Sequence, residues 1–147
     1  MNIILFQPQI PQNTGNIART CSATNTKLIL VTPLGFSLSN RYMKRAGLDY
    51  WDAVNLEVVD DIEGSLKGPC FFFSSKASRS YDHASYPENA TLIFGSETEG
   101  LPPLLWEKYG EHFYTIPMKT GQRCLNLSSS VAIVLYEALR QNRFSFH

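Results

Sequence analysis

The sequence is poor in cysteine: Cys21, Cys70 and Cys124 are the only three in 147 residues, are widely spaced and form no CxxC. That argues against a disulfide framework or a zinc site, and fits a reducing, cytoplasmic setting. His83, His112 and His147 do not cluster in sequence with Glu97 and Glu99, so no metal centre is expected. Net charge is missing too. Thirteen Lys and Arg balance 13 Asp and Glu, so no global field draws the chain to nucleic acid or membrane, and a polyanion would have to be met by a local patch. No apolar run could span a bilayer, and the one in Met1 to Pro8 is too short for a signal core and lacks a basic flank. Neither GxGxxG nor GxxxxGKS/T occurs, which leaves a dinucleotide fold or a P-loop without direct support. Repeats, low-complexity tracts and interdomain linkers are also absent. The length suits a single domain that buries roughly two thirds of the surface its unfolded chain exposes.

What is present alternates. Ile3 to Phe6, Leu28 to Val31, Leu56 to Val59, Cys70 to Phe73, Leu92 to Phe94 and Phe113 to Ile116 have strand length and β-branched or aromatic content. Several lack a polar alternation, as strands covered on both faces do. Between them Thr14 to Thr24, Arg41 to Gly47, Asp60 to Leu66 and Pro103 to Tyr109 read as helices, and Leu127 to Asn142 follows the last strand. The pattern predicts an α/β domain with a largely parallel sheet flanked by helices, and it makes the loops at the strands' carboxyl ends the default site. In the final helix, Asn126 or Ser128 is a cap, and Val131, Val134, Leu135, Ala138 and Leu139 form an apolar face wide enough for more than one neighbour. Tyr136 suits either the core or a subunit interface.

Three segments concentrate polar groups beside helix starts. Pro11 to Arg19 carries Asn13, Thr14 and Gly15, with Asn16 and Arg19 on one helical face where a phosphate would meet free N–H groups. Equally, Asn13 or Thr14 could be an ordinary cap and Arg19 a surface ion-pair partner. Phe94 to Pro102 brackets Ser96-Glu97-Thr98-Glu99 between Gly95 and Gly100; the glycines allow close backbone approach to a ligand but also serve any tight turn. Glu97 and Glu99 invite an acid/base reading, against which stands the common use of carboxylates to complement a helix dipole. The third segment runs from Ile116-Pro117-Met118 through Gln122-Arg123-Cys124-Leu125-Asn126-Leu127-Ser128. On residues alone, a small-molecule α/β enzyme and a non-catalytic RNA-binding module both remain open.

In order and spacing the three segments resemble the motifs of the SPOUT RNA 2′-O-ribose methyltransferases. Arg45-Ala46-Gly47-Leu48-Asp49-Tyr50 extends the resemblance to the minimal branch without an added RNA-binding domain, whose members act on the wobble nucleotide of tRNA, cytidine or modified uridine. The resemblance covers nearly the whole chain and is least distinctive from Gly64 to Asn89. It implies a C-terminal deep trefoil knot, although chains are as a rule unknotted. It also implies a homodimer, with Tyr136 at the interface, and S-adenosyl-L-methionine held by Phe73, Gly95, Gly100, Ile116, Cys124 and Leu125. Cys124 stands where a small polar residue is often found; a nucleophilic role for it fits poorly, because methyl transfer to a ribose oxygen needs no covalent intermediate. Arg19 resembles the family's catalytic arginine. Its guanidinium stays protonated, which favours phosphate clamping and stabilisation of alkoxide charge over a literal base. Asn13 would position RNA, Glu97 would organise the knot loops, and Asn126 and Ser128 would stand at the junction of cofactor and acceptor. Arg41, Lys44, Arg45 and Arg123, extended by Lys76 and Arg79, would form the basic patch, with Tyr42, Tyr50 and Trp51 as stacking planes for an anticodon base.

Overall fold

The computed structural model describes residues 1–45 and 53–146. Six strands, β1 (Asn2–Phe6), β2 (Lys27–Val31), β3 (Leu56–Val59), β4 (Cys70–Phe73), β5 (Thr91–Phe94) and β6 (Phe113–Tyr114), form one sheet in the order β3-β2-β1-β5-β4-β6. Every pairing is parallel. Around the sheet lie α1 (Pro11–Ala23), α2 (Asn40–Arg45), α3 (Pro103–Tyr109) and α4 (Leu127–Gln141).

The continuous apolar strands explain the layering. Ile3 and Leu5 of β1, Leu28 and Leu30 of β2, and Leu92 and Phe94 of β5 pack against Ile17 and Cys21 of α1 and Val131, Leu135 and Ala138 of α4. The intervening Ile4, Ile29 and Ile93 point the other way and meet Phe72, Leu101, Phe113 and Leu105 of α3. Two-residue periodicity splits β1, β2 and β5 between two cores, so their central positions are apolar on both faces. Within the second core, rings stack in series, Tyr109 on Phe72 at 5.1 Å, Phe72 on Phe113 at 5.0 Å and Phe113 on Trp106 at 3.8 Å.

The expected elements recur with three corrections. Asp60 to Leu66 is no helix. Only Glu63–Ser65 makes a 3-10 turn, and the Asp61 carboxylate accepts the Glu63 N–H at 3.1 Å, a local bond that competes with helix growth. The first helix starts at Pro11, not Thr14, because proline at the first helical position needs no N–H partner and has its φ already set. The last strand ends at Tyr114, and Thr115 instead bridges to Ser80. Ala46 to Tyr50, which narrowed the resemblance, and Trp51 lie outside the described residues.

The chain winds outward from β1 to β3, crosses to β4 on the other side, and inserts β5 between β4 and β1. The carboxyl ends of β1 and β5 therefore form a topological switch point, where adjacent loops diverge and leave a crevice. Burial of α4 sets much of the stability. Leu135 is fully buried, and Leu135→Ala should lower unfolding free energy by about 2–5 kcal/mol in a denaturant titration.

Candidate functional site

Loops leaving β1, β4, β5 and β6, together with the segment entering α4, enclose a cavity of about 490 Å³. Phe73, Phe94, Leu101, Trp106, Ile116, Met118 and Leu125 supply apolar lining, while Ser74, Lys76, Glu97 and Asn126 supply polar groups. The volume lies within the roughly 300–1,000 Å³ of small-molecule sites. Phe73 and Phe94, at the ends of neighbouring strands, stack at 4.9 Å and stiffen the floor.

The β5 loop folds back on itself. The Gly100 N–H donates to the Ser96 carbonyl at 3.1 Å, the Glu99 N–H donates to Ser96 Oγ at 3.0 Å, and Gly100 has φ +68°. A Cβ on Gly95 would stand 2.1 Å from the Gly100 carbonyl carbon, so only glycine lets the two ends of this loop meet.

Glu97 sits at the amino end of α1 and joins the loop to it. Its Oε1 accepts the Gln9 N–H at 2.9 Å, and its Oε2 accepts the Ile10 N–H at 2.8 Å and Asn13 Nδ2 at 3.2 Å. Ile10, the N-cap residue of α1, offers no side-chain acceptor, and Glu97 supplies the negative charge that this helix end favours from 87 residues along the chain. Neither Asn13 nor Thr14 is the cap. Asn13, only 5% exposed, turns its Oδ1 toward Asn126, whose Nδ2 donates at 3.0 Å. Asn126 caps α4, its Oδ1 accepting from Ser128 N at 2.9 Å, Ser129 N at 3.4 Å and Ser128 Oγ at 2.6 Å. One hydrogen-bonded chain thus runs through all three polar segments.

Of the residues singled out from sequence, Asn13, Phe73, Gly95, Glu97, Gly100, Ile116, Cys124, Leu125 and Asn126 line the cavity. Ser128 is half-buried just beyond it, beside Asn126. Arg19 is exposed on α1 and stands outside the lining, as do Arg41 and Lys44 on α2. Arg45 ends α2. Arg123 is exposed next to Cys124, whose Sγ donates to Ser75 Oγ at 3.2 Å and ties the α4 entry to the β4 loop. That bond brings Lys76 to the lining as well, while the Arg79 guanidinium lies over the Tyr114 ring at 4.9 Å. Tyr136 is 45% exposed, so it belongs to no core within this chain.

Sequence reading missed Trp106 and Met118 as cavity walls. The Ile-Pro-Met segment carried a signal for Met118; Trp106 carried none, because its role depends on the Phe113 ring stacked against it. Cys21 lies on the buried face of α1, and its thiol is pushed up to about 12 by desolvation, leaving it a protonated packing group. Among the described residues no group of three His, Cys, Asp or Glu could hold a metal ion, and no helix is long and apolar enough to cross a membrane.

A parallel α/β sheet with a glycine-lined cavity at its switch point defines a ligand-binding domain of the doubly wound type. The sequence matches the SpoU rRNA Methylase family over residues 1–136, and the chain belongs to that family. It is 44% identical over 149 residues to the tRNA (cytidine(34)-2′-O)-methyltransferase of Methylovorus glucosotrophus (strain SIP3-4), covering 98% of this chain and 97% of the relative. A solved structure described as giving insights into the 2-OH methylation of C/U34 on tRNA superposes with a TM-score of 0.89 at 40% identity, covering 98% of this chain and 97% of its own. An AdoMet-bound rRNA methyltransferase from Sinorhizobium meliloti matches with a TM-score of 0.81 at 25% identity, over 95% of this chain and 55% of its own.

The close approach at Gly95 yields a direct test. Gly95→Ala should destabilise the fold by about 1–3 kcal/mol, seen as a lower melting temperature, because the added methyl must displace backbone rather than a flexible side chain.

Proposed function

We propose that this protein transfers the methyl group of S-adenosyl-L-methionine to the ribose 2′-hydroxyl of the wobble nucleotide, cytidine or modified uridine, in the tRNA anticodon loop. The observation that carries the reading is the continuous chain Glu97–Asn13–Asn126–Ser128 along the edge of the cavity, within a member of a methylase family.

The residues present fit the cofactor. Apolar walls at Phe73, Ile116 and Leu125 suit its adenine and methionine portions, and the glycine turn at Gly95 and Gly100 brings backbone groups against the cavity. Cys124 contributes through its backbone, because its Sγ is directed to Ser75 Oγ. When bound, S-adenosyl-L-methionine supplies an electrophilic methyl group and leaves as S-adenosyl-L-homocysteine. The protein orients the acceptor, excludes water and assists departure of one proton.

Asn126 and Ser128 stand where the cavity edge meets the acceptor ribose. Asn13 and Glu97 hold that edge. Arg19 clamps an RNA phosphate and stabilises charge developing on the 2′-oxygen. Because Arg19 lies outside this chain's cavity, it acts on the acceptor of a partner subunit in a homodimer, whose interface includes the exposed Ile133 and Tyr136 of α4. Arg41, Lys44, Arg45 and Arg123 bind the anticodon-loop backbone, giving the single domain its RNA affinity without an added module. The protein works in the cytoplasm, where its tRNA substrate is found.

Incubation with labelled S-adenosyl-L-methionine and total tRNA, followed by nucleoside mapping, should place label on the wobble ribose; label at another nucleotide would overturn the assignment. In the same assay Arg19→Ala should lower kcat about 10²–10³-fold while cofactor binding, read by calorimetry, stays near wild type.

A further inference from the structure

The hydrogen-bonded chain along the cavity edge has a direction. Both oxygens of Glu97 accept from N–H donors, so the atom Asn13 turns toward it must be Nδ2. That leaves Asn13 Oδ1 facing Asn126, which answers with Nδ2, and Asn126 Oδ1 is thereby directed to the start of α4. There it accepts the Ser128 hydroxyl proton at 2.6 Å. An amide has one donor end and one acceptor end, so choosing one end at Glu97 decides every later orientation. Were Asn13 reversed, its donor would meet the donor of Asn126, and reversing Asn126 in turn would remove the acceptor that caps α4.

From this we infer that Glu97 is a positioning residue that sets the polarity of an amide relay and thereby presents Ser128 Oγ as a hydrogen-bond acceptor for the 2′-hydroxyl of the RNA. Ser128 Oγ has given its only proton to Asn126, so toward an incoming O–H it presents lone pairs alone. A 2′-hydroxyl that donates to it turns its own lone pair outward, toward the methyl donor. No proton is transferred along the relay; Ser128 orients the nucleophile, and the proton leaves by the route of the main reaction. Ser128 lies beyond the cavity lining, where an acceptor ribose rather than the cofactor would reach it. The inference rests on the proposed 2′-O-methyl transfer for its substrate, but the polarity of the relay stands on the geometry alone.

A polarity-reversal cycle tests it. In Glu97→Gln, the amide oxygen can stay on Ile10 and Asn13 while its NH2 opposes the Gln9 N–H, so the relay keeps its direction and one backbone bond is lost. In Asn126→Asp the cap is kept, but an oxygen faces Asn13 Oδ1. With both substitutions in one chain, the new amide at position 97 can donate to Asn13 Oδ1 while Asn13 Nδ2 donates to the new carboxylate at position 126, so the relay runs backwards and still ends in an acceptor for Ser128; Gln9 N–H keeps its acceptor and Ile10 N–H loses it. Asn126→Asp should lose about 100-fold in kcat with KM for S-adenosyl-L-methionine little changed, and Glu97→Gln should show a smaller loss. The double variant should regain at least about tenfold over Asn126→Asp. Urea denaturation of wild type and the three variants should show the same sign, the double variant being more stable than the sum of the single losses allows. Ser128→Ala, which keeps both backbone bonds to the cap, should lower kcat without weakening tRNA or cofactor binding. A double variant no more active and no more stable than the worse single variant overturns the relay, and full activity in Ser128→Ala overturns the acceptor role. If the wild-type protein methylates no tRNA, the functional reading fails instead, and the urea cycle still decides the polarity.

Discussion

Glu97 accepts three N–H donors from the segment that leaves β1 and enters α1, and it reaches them from a loop at the far side of the sequence. Around that carboxylate the site is organised. It fixes the β5 loop against the amino end of α1, holds Asn13, and through Asn13 connects to the cap of α4. A helix end that lacks its own side-chain acceptor would otherwise leave N–H groups unpaired beside a cavity. Supplying the acceptor from another loop ties the integrity of α1 to the shape of the site, so the local need of one helix becomes a constraint on the global fold.

The sheet makes this meeting possible. With β5 inserted next to β1, the two loops emerge side by side and pointing the same way. Apolar strands covered on both faces fix their relative height, and the stacked aromatic series behind Trp106 supports one wall of the cavity. Rigid elements therefore carry the site, while the chemistry rests on loops whose backbone groups are held by glycine turns and capping bonds.

Much of this was readable in one dimension. The strand at Cys70–Phe73 and the helix at Pro103–Tyr109 fall where their composition puts them, because buried parallel strands need unbroken apolar runs and proline marks a helix start; the edge strand Leu56–Val59 does so through its valines, with Glu57 exposed. Asn126 was legible as a cap because its signature is local. Asp60 to Leu66 was misread because short polar and acidic residues around Gly64 make turns as readily as helix. The carboxylate at Glu97 was legible as a helix-dipole partner, yet the helix it serves is α1 rather than one beginning nearby. Hydrogen bonds between segments so far apart along the chain leave no periodicity to detect.

By itself, then, the sequence determined the layered parallel α/β class, the apolar cores, the local caps and the three polar segments, since each follows from nearest-neighbour chemistry or from the spacing of residues along one element. Tertiary structure alone decided that Glu97, Asn13, Asn126 and Ser128 form one directed chain, that Trp106 and Met118 become walls, and that Arg19 stands outside its own cavity. The physical reason is that donors and acceptors are specified by residue type, whereas which donor meets which acceptor depends on strand order, and the insertion of β5 beside β1 is a property of the whole chain.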